Sequence, residues 1–86
     1  MTDEIKEEIK RYIVNMIKEY KGKKRFKPLE IEKDVASVYG DKGVTRRDVK
    51  NIIKELTEEG TLIYGYAGSS FLALPEEQQE EIDKKG

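Results

Sequence analysis

Between Asp3 and Tyr20 the apolar side chains Ile5, Ile9, Tyr12, Ile13, Met16, Ile17 and Tyr20 recur every three or four residues. At about 3.6 residues per turn this spacing draws one stripe along an α-helix, with Val14 off it, and predicts a core-facing first helix. Thr2 is placed to cap that helix, and Asp3 and Glu4 suit the positive end of its dipole. Tyr12 and Tyr20 belong at the edge of the core with their hydroxyls in water. Lys21-Gly22 ends the helix, and Phe26, alternating with Arg25 and Lys27, reads as a brief edge strand.

Ile31, Val35, Val38 and Tyr39 repeat on one face of a second helix. It opens at Pro28, whose fixed φ suits the first helical position, and stops at Gly40. The third helix carries the fullest set of signals. Thr45 is its N-cap, Asp48 stands in the capping-box position usually held by Glu or Gln, and Val44 can staple against Val49. Val49, Ile52, Ile53 and Leu56 form its buried stripe, and Gly60 closes it. Because the link from Gly40 to Thr45 is short, the second and third helices should form a helix–turn–helix pair.

After Gly60 the period changes from helical to alternating. Leu62, Tyr64 and Tyr66 share one face of a strand, Ala67-Gly68-Ser69-Ser70 turns the chain, and residues 71–74 return as its partner. Three helices alone would leave an apolar face open. Leu62 and Tyr64, with Phe71 or Leu72, are placed to cover it. Helix, short strand, helix, helix, hairpin is the order of a winged helix, an α+β fold. Residues 1–75 make that domain, and residues 76–86 follow as an acidic tail, short helix or solvated chain, with Ile82 as its only anchor.

Composition narrows the chemistry. In 86 residues there is no Cys and no His. Disulfides, zinc fingers, Ser–His or Cys nucleophiles and haem ligation are therefore out of reach. No calcium loop with its terminal bidentate Glu is present. The expectation is a binding protein, not an enzyme, with no cofactor and no metal. No apolar run reaches the roughly 18 residues of a membrane span, and the N-terminus does not read as a signal peptide. A cytoplasmic protein follows, and the richness in Lys and Glu resembles a thermophile's composition.

Charge adds position to this picture. The formal net charge is −1, yet residues 1–75 net +2, residues 76–86 net −3, and residues 21–27 hold five cations and no acid. On a helical wheel Arg46, Arg47, Lys50 and Lys54 fall within about 100° of one another, while Asp48, Glu55 and Glu59 gather on the opposite flank. Asn51 and Glu58 lie between the two. A nucleic-acid backbone would meet Arg46, Arg47, Lys50 and Lys54. Asn51 and Arg47 would reach base edges, and Lys23, Lys24 and Arg25 would add a second contact. The same charges also fit an ordinary solvated surface, with Lys54 and Glu58 as an i,i+4 pair.

The expected wing tip carries no charge, which suits a protein surface or hydrogen bonding through Ser69 and Ser70, with Tyr66 as the exposed anchor. Tyr66 packed across the hairpin on Phe71 is the other arrangement. The acidic tail can fold back on residues 21–27 and compete for phosphate, or remain solvated.

The run Arg47-Asp48-Val49-Lys50-Asn51-Ile52-Ile53-Lys54-Glu55-Leu56, followed by Leu62-Ile63-Tyr64 and Gly68-Ser69-Ser70, resembles the dissimilatory sulfite reductase D family of small winged-helix proteins. The resemblance covers residues 46–75, with a looser match around Phe26. Where that family's wing has a Trp after the Tyr, this chain has Gly65. The resemblance implies an accessory activator of a sulfite-reducing enzyme acting by protein contact, with DNA binding an older suggestion for the fold. Two expectations stand: a double-stranded-DNA-binding, transcription-associated regulator using residues 45–59 and 21–27, and a protein-interaction accessory factor using the wing.

Overall fold

The computed structural model describes residues 2–20, 23–64 and 71–75. The first helix, α1, runs Asp3–Glu19, and the Thr2 hydroxyl accepts the Ile5 N–H at 3.3 Å as its cap. Tyr20 is the C-terminal cap rather than the last helical residue. Ile9, Ile13 and Ile17 of the apolar stripe are buried. Val14, expected off the face, is half-buried and packs against the core as well.

α2 runs Pro28–Val38 with Pro28 at its first position. Ile31 and Val35 are buried, but Val38 is 51% exposed, against the expectation that it shares their face. The helix ends at this residue, and Tyr39 goes inward in its place. Gly40 is not the left-handed stop either. A 3₁₀ turn over Gly40–Lys42 follows the helix, and the left-handed residue is Gly43, at φ 79°. One extra turn of chain therefore separates α2 from the next helix, and the glycine is needed where that turn reverses.

α3 runs Arg46–Glu58, with Val49, Ile52, Ile53 and Leu56 buried as the period requires. Gly60, at φ 80°, lets the chain double back, so that the N–H groups of Thr61 and Leu62 both donate to the Leu56 carbonyl. That satisfies the helix end and drops Leu62 into the core, where it is fully buried.

β1, Ile63–Tyr64, pairs antiparallel with β2, Leu72–Ala73; Ile63 stands opposite Ala73 and Tyr64 opposite Leu72. The expected edge strand at Phe26 is a single antiparallel bridge to Leu72, closed by the Leu72 N–H donating to the Phe26 carbonyl at 2.8 Å. The expected inner face needs a second correction. Leu62 and Leu72 are buried, but Tyr64 is 51% exposed and Phe71 only half-buried. Leu62 owes its burial to the Gly60 reversal and precedes the paired strand, so it does not set the strand's phase.

α2 packs most extensively on α3, and α1 crosses both. One apolar cluster joins Ile9, Ile13 and Ile17 to Ile31, Val35, Tyr39, Val49, Ile52, Ile53, Leu56, Phe26, Leu62 and Leu72. The fold is thus α+β, the described residues forming three α-helices and a small antiparallel sheet against their common core. Among the described residues no helix is long and apolar enough to cross a membrane. The expected turn at residues 67–70 and the tail at 76–86 lie outside the described residues.

The Tyr12 hydroxyl lies at the exposed edge of the core and donates there to Asp34 Oδ2 at 2.8 Å, tying α1 to α2, and its ring meets Tyr39 edge-on at 5.8 Å. That hydrogen bond, with burial next, pushes the Tyr12 pKa up to about 12. A raised pKa on an acid means that the neutral hydroxyl is the form the fold favours. Its contribution is complete below the free-tyrosine value near 10 and disappears as pH rises through 12. Tyr12→Phe is expected to cost about 1 kcal/mol at neutral pH. The variant should also lose less stability than the parent between pH 10 and 12, as read by denaturant unfolding at several pH values. Parallel pH profiles would show that the hydroxyl contributes nothing.

Candidate nucleic-acid interface

The site is built on α3, whose start is fixed from within. The Thr45 hydroxyl accepts the Asp48 N–H at 3.2 Å, and the Asp48 carboxylate accepts the Thr45 N–H at 3.0 Å. Both halves of the capping box are made, and the short Asp serves in place of Glu. The Thr45 backbone hydrogen bond holds the Asp48 carboxyl below its usual range.

The acidic flank of α3 faces α1. Lys6 Nζ donates to Glu55 Oε1 at 2.7 Å, and Lys10 Nζ to Glu59 Oε1 at 3.1 Å. The two pairs are the rungs of a ladder, one helical turn apart on both elements. The Lys10 side chain is only 14% exposed, and its bond to Glu59 raises its pKa despite some opposing desolvation. The bond from Lys6 likewise lowers the pKa of Glu55. Sequence periodicity had singled out neither lysine. The signal for them is the matched spacing of four on each helix, Lys6 and Lys10 beside Ile5 and Ile9, and Glu55 and Glu59 beside Ile52 and Leu56.

With that flank docked, the opposite one is left to solvent. Arg46, Arg47, Lys50, Asn51 and Lys54 are all exposed, and together they cover the outer side of α3. Among the described residues Arg46, Arg47 and Lys50 form no ion pair. Lys54 stands 4.0 Å from Glu58, one turn on, with both side chains well exposed; such pairs contribute about 0.3–0.5 kcal/mol. The stripe is therefore four cations and one acid around an uncharged amide, a surface suited to a polyanion with donor and acceptor groups between its charges.

The second expected contact is less available. Lys23, Lys24 and Arg25 are exposed in the connection before α2. However, Lys24 lies 4.9 Å from the centre of the Phe26 ring and 3.8 Å from Glu30, and Phe26 anchors the segment to the sheet. Tyr66, Ser69 and Ser70, the expected protein-contact residues of the wing, lie outside the described residues. Among the described residues no group of three or more potential metal ligands comes together.

Comparison with known proteins places none of them beside this chain: no family model matches, and no curated protein or solved structure does.

Proposed function

We propose that the chain is a winged-helix module that binds duplex DNA through the outer side of α3, as a transcription-associated regulator. One observation carries this reading: α1 takes up the acidic flank of α3 with Lys6 and Lys10, so that the exposed flank is basic. The element order supports the winged-helix assignment, since Phe26 bridges the same strand that pairs with β1.

The test is a salt titration of duplex binding. Log affinity should fall linearly with log salt, and Arg47→Ala/Lys50→Ala should flatten the slope by about two units. Absence of duplex binding at low salt overturns the reading. That outcome would favour the second one, an accessory factor of the dissimilatory sulfite reductase D type contacting its enzyme through the sheet. The observation behind it is Tyr64, a large aromatic side chain left half in solvent on β1.

A further inference from the structure

β2 has a neighbour on each side, and the two sides differ in charge where the chain leaves the sheet. Toward β1, the pairing of Ile63 with Ala73, carried two residues further, brings Pro75 level with Thr61. That side is acidic: Glu58 and its cap Glu59, both exposed, close α3 just before the Gly60 reversal. Toward the connection before α2, the antiparallel bridge of Phe26 to Leu72, carried outward in the same way, sets Arg25 opposite Ala73 and Lys24 opposite Leu74. That side is basic. Lys23, Lys24 and Arg25 are all exposed, and Lys23 forms no ion pair among the described residues.

Pro75 has no N–H to give to either neighbour, so the acids begin where pairing stops. Glu76, Glu77, Glu80 and Glu81 follow with no cation among them. Adjacent strands stand about 4.8 Å apart and an extended chain rises about 3.3 Å per residue, so Glu76 and Glu77 start within side-chain reach of the basic connection. We infer that residues 76–81 dock on residues 23–25 of the same chain, their carboxylates against Lys23 and Arg25, and keep this second cationic contact covered until a polyanion displaces them. Lys24, drawn onto Phe26 and toward Glu30, contributes less. Exposed ion pairs are individually weak and screened by salt, so the latch holds only because its two halves are tethered. A duplex, with one charge per about 1.7 Å of its axis, outcompetes it. The docking does not depend on the duplex-binding reading; the competition with DNA rests on it.

The chain has no cysteine, so a nitroxide label can be carried on Gln78→Cys without removing an acid. The control is the same labelled chain with Glu76→Gln/Glu77→Gln/Glu80→Gln/Glu81→Gln, because the tether alone brings the label near the sheet. Paramagnetic broadening of the backbone amides of residues 23–25 should be several-fold stronger in the acidic chain than in the control. It should fall toward the control as salt is raised. Equal broadening in the two chains, or a maximum over residues 10–18 or 46–54, overturns the docking. Duplex affinity gives the second readout. The four-glutamine exchange should tighten binding of a short mixed-sequence duplex several-fold at low salt, and most of that gain should vanish when Lys23→Ala/Arg25→Ala is also present. A gain of the same size in both backgrounds would show the tail acting through net charge alone and overturns the competition. Failure of the parent chain to bind the duplex overturns the duplex-binding face and the competition together, while the docking is decided by the label alone.

Discussion

Leu62→Ala is expected to lower the unfolding free energy by about 2–5 kcal/mol. Tyr64→Ala, two residues on, should cost no more than about 1 kcal/mol. Leu62 is fully buried in the cluster that joins the helices to the sheet, so its truncation leaves a cavity the backbone cannot close. The Leu62 N–H is fixed to the Leu56 carbonyl at 3.1 Å, which prevents the strand from sliding inward. Tyr64 is 51% exposed and gives up little buried area. A domain this short has only about 4–13 kcal/mol to lose. The first variant should therefore melt far below the parent or fail to fold, while the second stays within a few degrees. Urea unfolding of both variants decides it, and equal losses would overturn the arrangement in which Leu62 alone of the two points inward.

That pair also shows where sequence reasoning ended. The helices were legible because each carries its own period and its own punctuation: Thr2, Pro28 and the Thr45–Asp48 box open them, and Gly60 closes the last. Burial of Ile9, Ile13, Val49, Ile52, Ile53 and Leu56 follows from spacing alone. Alternation across residues 62–66 put Leu62 and Tyr64 on one face, but the reversal at Gly60 buries Leu62 before pairing begins. At the end of α2 the spacing places the stop at Gly40, the first glycine after the last periodic residue, but a 3₁₀ turn over Gly40–Lys42 carries the left-handed position on to Gly43, and no local period announces that extra turn.

The candidate face was half legible. A helical wheel separates Arg46, Arg47, Lys50 and Lys54 from Asp48, Glu55 and Glu59, yet it says nothing of which flank meets the protein. That depends on α1, about fifty residues away in sequence, whose Lys6 and Lys10 reach Glu55 and Glu59. Lys24 shows the opposite effect: counted as a free cation in the sequence, it is drawn onto Phe26 and toward Glu30 by the fold.

Arg46→Glu/Arg47→Glu is expected to abolish duplex binding while making the protein more stable. The exposed stripe carries a net +3, four cations against Glu58, and the double exchange turns it to −1. A surface neutralising three phosphates loses roughly 40-fold in affinity between 50 and 200 mM salt. Reversal of its sign should cost on the order of a hundredfold or more even at low salt. Stability should move the other way, because both arginines sit in the first turn of α3, on the positive end of its dipole. Glutamate at each place is favourable by about 0.3–1 kcal/mol, and each kcal/mol raises the melting temperature of a domain this size by about 4–8 °C. Neither arginine forms an ion pair among the described residues, so the exchange removes no such contact. The opposed signs separate the two accounts of this face: solvated decoration would let the protein gain stability and lose nothing. Duplex titration beside thermal unfolding of the same preparation reads both quantities, and unchanged affinity in a stabilised variant would overturn the assignment of α3 as the binding helix.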